Sequence, residues 1–117
     1  DGQVERGIRL ALERVEAPGV LVEGNSFLKF VRTDFAVMVA RAGGGKVKAS
    51  ARRALAKSSA LYLSDEGDAG VAARERFASW CQSSADRNLV GALPVYTRAE
   101  LPQLISRVRA VHAALAA

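Results

Sequence analysis

Four short polar segments carry the residue types that could do chemistry. The first is Glu23-Gly24-Asn25, which closes the apolar run Val20-Leu21-Val22. A carboxylate in that place can hold magnesium directly or through water, or orient an attacking water. It can equally be a loop carboxylate that caps a helix starting near Ser26. The second segment is 41–48, with Gly43-Gly44-Gly45-Lys46 at its centre. It invites comparison with the phosphate-binding pattern G-x-x-x-x-G-K-[ST]. The first glycine of that pattern falls on Ala40, and Val47 after Lys46 has no hydroxyl for magnesium. Backbone N–H groups and Lys46 can still meet an anion there, because a helix start follows. A plain surface loop is the competing reading. The third and fourth segments are Ser64-Asp65 and Thr97-Arg98.

Other chemistries find little support. His112 is the only histidine, and its place beside the apolar stripe of a helix suits a structural role. Cys81, the single cysteine, lies next to Trp80 on an apolar helical face and reads as core. One cysteine allows no intrachain disulfide and no cysteine metal cluster. A serine hydrolase needs a G-x-S-x-G elbow followed by a histidine, and the elbow is absent.

The charge is concentrated. The chain has 117 residues, 17 basic and 12 acidic, for a net +5. Between residues 36 and 64 there is no acidic residue, while Arg41, Lys46, Lys48, Arg52, Arg53 and Lys57 are basic. Setting those six aside leaves 11 basic against 12 acidic residues, so the excess sits in one segment. Such a segment suits an anionic partner or a solvated face. Nucleic acid is disfavoured, because no aromatic side chain interleaves the basic ones to stack on bases.

These segments need elements to position them. Half of the residues are apolar, which is enough for one domain with a real core. Apolar spacing predicts a helix over residues 3–16, stopped by Ala17-Pro18-Gly19. Val20-Leu21-Val22 reads as a short strand and 26–31 as a short helix. Phe35 to Ala40 reads as a strand buried on both faces, the mark of a parallel sheet covered by helices. Ser50 is the expected N-cap of a helix to Ala56, and Ala60 to Leu63 a third strand. Residues 69–84 read as a helix with Ala73, Phe77, Trp80 and Cys81 on one face. Leu93 to Tyr96 is the fourth strand. Thr97 and Glu100 form a capping box for a last helix to about Ala116, with Leu104, Ile105, Val108, Val111 and Leu115 inward. Pro102 sits awkwardly within it.

Strands alternating with helices predict a single α/β domain over 1–117, a three-layer sandwich with a mainly parallel sheet of about four strands. Ligands bind at the carboxyl ends of such strands, and all four polar segments fall there. No apolar run approaches the ~20 residues of a membrane helix. The amino terminus does not read as a signal peptide, so a cytoplasmic protein is expected.

The stretch from Gly19 to Arg41, GVLVEGNSFLKFVRTDFAVMVAR, resembles the second half of P-loop NTPases of the SIMIBI class. It is most similar to molybdopterin-guanine dinucleotide biosynthesis proteins, and more distantly to metallocenter-assembly GTPases for urease and hydrogenase. In those families a strand ends in a Walker B-like acidic residue followed by glycine, here Val22-Glu23-Gly24-Asn25. A later strand carries the base-recognition segment, here Leu61-Tyr62-Leu63-Ser64-Asp65, without the N-K-x-D motif of GTPases. The last strand leads into a loop that touches the base, here Tyr96-Thr97-Arg98-Ala99. The resemblance implies a carboxyl-terminal part of a nucleotide-binding fold, without the first strand, P-loop and first helix. It implies a purine nucleotide such as GTP and magnesium as ligands, with Glu23 at the metal and Lys46 at an anion. Ser64, Asp65, Thr97 and Arg98 would then line the base end. Hydrolysis by this chain alone is not expected, since the P-loop lysine and magnesium-binding hydroxyl are missing. A half sheet would also expose an edge where a partner or a second copy could pair. The alternative is a non-catalytic module that docks an acidic protein or a nucleic acid through the basic segment 41–57.

Overall fold

The computed structural model describes residues 2–41, 49–64, 74–75 and 93–116. Its centre is a small parallel sheet of three strands in the order β1-β2-β3. These are β1 (Val37–Ala40), β2 (Ala60–Leu63) and β3 (Val95–Thr97). Val37 pairs with Ala60 and Ala40 with Leu63, while Leu61 pairs with Val95 and Leu63 with Thr97. Helix α3 (Ala49–Leu55) makes the crossover between β1 and β2, as parallel neighbours require. The α/β class and the parallel sheet are as expected.

The central strand is apolar on both faces, and β2 is the most buried element. Leu61 is 1% exposed, and Ala60 and Leu63 are fully buried. Leu61 and Leu63 pack with Leu55 of α3, and Met38, Ala40, Leu93 and Val95 close around them. Each such leucine contributes about 1.5–3 kcal/mol by leaving water. Ala54 and Leu55 are the buried positions of α3. That helix ends where Lys57 and Ser58 N–H bond to the Ala54 and Leu55 carbonyls at 3.0 and 3.1 Å. Ser50 lies inside α3 and does not cap it.

Among the described residues the sheet has three strands rather than the four expected. Val20-Leu21-Val22 pairs with no strand among the described residues, and Leu21 is 94% exposed. A strand is held by its ladder, and a three-residue run without one gains nothing from its β-branched side chains. Gly24, just beyond, has φ +133°, which only glycine adopts without strain. The burial expected on both faces of β1 is also corrected. Met38 and Ala40 face the core, whereas Val37 and Val39 point outward and Val39 is 63% exposed.

The helices around the sheet are loosely attached. Helix α1 (Gly2–Glu13) buries no residue, and its exposed surface carries the Glu5–Arg9 ion pair at 3.0 Å. Arg9 also donates to the Phe30 carbonyl at 3.4 Å, at the end of α2 (Phe27–Phe30). Lys57 donates to the Leu28 carbonyl at 3.0 Å. Helix α4 (Leu101–Ala116) follows a 3-10 turn over Arg98–Glu100. Pro102 sits in its first turn, where an N–H has no helical partner to lose. Of the stripe expected inward, Leu104 alone is buried, Val111 is half-buried, and Ile105, Val108 and Leu115 are exposed. The 69–84 helix lies outside the described residues, apart from the helical pair Arg74 and Glu75.

Leu63→Ala should therefore cost about 2–5 kcal/mol in urea denaturation, because a cavity opens at the centre of the sheet. Leu21→Ser should change stability by less than about 0.5 kcal/mol. A large loss for the second change would show that the run is packed after all.

Candidate functional site

Three parallel strands end on the same side of the sheet. Ala40, Leu63 and Thr97 form one row across it. The next residue of each strand, Arg41, Ser64 and Arg98, starts a second row just beyond the strand ends. Neighbouring strands lie about 4.8 Å apart, so the backbones of Arg41 and Arg98 flank Ser64 across roughly 10 Å. Ser64 is half-buried. Its N–H and its hydroxyl both donate to the Ala40 carbonyl, at 3.0 and 3.4 Å. The last β1 carbonyl is thereby satisfied, and the serine is fixed between the two guanidinium-bearing positions. Arg41 and Arg98 are exposed. Two arginines at the carboxyl edge of a parallel sheet can hold a bidentate oxyanion such as a phosphate.

Thr97, which the resemblance sets at the base end, makes the joint between β3 and the following turn. It is the one buried polar residue among those described. Its N–H donates to Glu100 Oε1 at 3.0 Å, one arm of the expected capping box, and its hydroxyl donates to the same oxygen at 2.9 Å. The carboxylate thus satisfies the N–H at the helix entry and anchors the turn that presents Arg98. Arg74 completes this joint. Its guanidinium bonds Glu100 Oε1 and also donates to the Val95 carbonyl at 3.2 Å. The Thr97 backbone N–H, then its hydroxyl, hold the Glu100 carboxyl below its ordinary value against the opposing effect of burial, with a lesser lowering from the Arg74 charge.

The other sequence candidates are placed as follows. Glu23, Gly24 and Asn25 lie in an exposed irregular segment before α2, and no strand delivers Glu23 to the row. Lys46 and Asp65 lie outside the described residues, as do Lys48, Trp80 and Cys81. Arg53 is exposed on α3, and Lys57 is engaged by Leu28. His112 is exposed on α4 rather than packed. Among the described residues no three His, Cys, Asp or Glu side chains come together as metal ligands. A shallow depression along α1 is lined by Gly2, Glu5, Arg6, Arg9, Leu10 and Glu13, all on one helix and none from the sheet.

The sequence reading set the segment 41–48 at a strand end and counted Arg41 among the basic residues, but did not name it as a ligand contact. The signal was available, since Arg41 directly follows an apolar strand. The capping box pointed to Glu100. Nothing in the spacing pointed to Arg74, which reaches Glu100 across 26 residues.

Glu100 gives a prediction with a defined sign. A carboxyl held low contributes stability above its unfolded value of about 4.3, and loses it as pH falls through the lowered folded value. Because the group is partly exposed, the expected contribution is under about 1 kcal/mol. Urea midpoints of the wild type and Glu100→Gln should differ at pH 7 and converge in acid below that folded value. An equal gap at both pH values would remove the carboxylate's charge from the joint.

No family model matches the chain, and neither a curated protein nor a solved structure matches it.

Proposed function

We propose that this chain is a nucleotide-binding accessory domain that holds an anionic ligand at the carboxyl edge of its parallel sheet. The observation that carries this reading is the row Arg41, Ser64 and Arg98, set at adjacent strand ends in one register. Two guanidinium groups about two strand spacings apart suit the oxygens of a nucleotide's phosphate chain. The absence of acidic residues over 36–64 keeps the local potential positive on the β1 and β2 side of the row. Thr97 acts indirectly, by fixing the turn that carries Arg98. The resemblance at Val22-Glu23-Gly24-Asn25 supports a P-loop NTPase relative, with magnesium as the companion ion and molybdopterin-type cofactor maturation as the setting. Glu23 would meet the metal from its exposed segment. Lys46 and Asp65 belong to the same reading. No residue of the row is a general base, which fits binding rather than hydrolysis.

The docking alternative through segment 41–57 has less to carry it, because Lys57 already spends its ammonium on the Leu28 carbonyl.

Calorimetric titration with GTP and ATP, with and without magnesium, tests the proposal. Binding tighter than about 100 μM, or roughly −5.5 kcal/mol, is expected. Arg41→Ala and Arg98→Ala should each weaken it about tenfold, in line with a charge-assisted hydrogen bond to phosphate. Glu23→Gln should reduce only the magnesium-dependent part. Affinity unchanged by both arginine substitutions would sink the row as the site. A steep loss of nucleic-acid binding with salt would favour the docking alternative.

A further inference from the structure

The outer edge of β1 has a geometry that specifies its partner. The Ala36 carbonyl accepts from Ala60 N–H at 3.2 Å, and the Ala40 carbonyl from Ser64 N–H at 3.0 Å. Backbone groups alternate along a strand. Hence Val37 and Val39 direct their N–H and C=O groups away from β2, toward an edge that no described strand covers. Their side chains share the outward face, with Val37 partly and Val39 largely exposed. Between Asp34 and Arg41 there is no charge and no proline, the usual devices that keep an edge from pairing.

We infer that this edge pairs with the same edge of a second copy, antiparallel about a two-fold axis at Met38, to give one continuous sheet across two chains. Antiparallel pairing opposes residues whose backbone groups point at one another, so odd positions must face odd positions. The register centred on Met38 meets that condition. Val37 of each copy then exchanges both hydrogen bonds with Val39 of the second copy, and the exposed valines cover each other. One step further out, Phe35 lies level with Arg41 of the second copy, which suits a guanidinium over an aromatic ring. The segment starts at the acidic Asp34 and ends at the basic Arg41, both exposed and neither in an ion pair among the described residues. An antiparallel copy sets the acidic start against the basic end at both ends of the ladder. A parallel copy would set like charges together. The pairing is isologous, so it closes at two chains.

Sedimentation equilibrium of the full chain over about two decades of concentration is the test. Wild type should move toward twice its 12.4 kDa mass as concentration rises. Val39→Pro deletes an outward N–H, and Val39→Lys sets a charge against the apolar Val37 of the second copy. Each should raise the dissociation constant about tenfold or more. The lysine variant keeps the test decisive if the proline variant fails to fold, because that side chain is largely exposed. The double change V37E/V39K should restore dimerisation, since the introduced carboxylate then faces the introduced ammonium across the axis. A monomer at every concentration overturns the inference, and so does a dimer indifferent to both single changes. A protected Val39 amide in a chain of monomer mass also overturns it, since a segment of the same chain would then cover the edge. Failure of the double change to recover overturns the register.

Discussion

The hydrogen-bonded ladder on both sides of β2 holds the described structure together. β1 and β3 each pair with that strand and, among the described residues, not with each other, and their Met38, Ala40 and Val95 side chains close around its leucines. That strand is buried, with Leu61 at 1% exposure and Leu63 at 0%. A buried backbone group that lost its partner would cost far more than an exposed one. That cost locks the register. The register in turn sets which three residues follow the strand ends together. Arg41, Ser64 and Arg98 are neighbours because Ala40, Leu63 and Thr97 are.

A second constraint acts at the end of β3. The chain must leave a strand and enter a helix within a few residues, and the first helical N–H groups need acceptors. Glu100 supplies one from within the turn, and Arg74 neutralises the charge that this brings. Together they hold the turn that carries Arg98. Ser64 plays a related part at β2, where its hydroxyl joins its own N–H on the Ala40 carbonyl. The row is thus supported by polar groups bonded back to the sheet and its turn, and its two arginines are exposed.

Much of this was legible in the residues. Helix α1, the short α2, β1, β2, β3 and α4 all appear close to where apolar spacing and turn residues put them. The capping box was readable because it depends on two residues three apart. The reading failed where an element's stability comes from elsewhere in the chain. Val20-Leu21-Val22 has strand-like side chains, but nothing local says whether a ladder will form beside it. The same holds for α4, whose stripe is regular although Leu104 alone is buried. Periodicity reports which face could be covered, and a partner decides whether it is. Of the candidate row, Ser64, Arg98 and the segment that begins at Arg41 were all expected at strand ends, and all three positions follow a strand. Glu23 rested on a strand that did not form.

The two attachments of α2 have a consequence for how the amino-terminal part responds to ionic strength. Arg9 and Lys57 are cations, yet what they hold on α2 are the Phe30 and Leu28 carbonyls, and Arg9 meets a carboxylate only within its own helix, at Glu5. A cation facing a carbonyl dipole feels a shorter-ranged attraction than one facing an opposite charge, and added salt has less distance over which to screen it. The amino-terminal helices should therefore stay on the sheet in brine about as well as in dilute buffer. The exposed Glu5–Arg9 pair has no such protection.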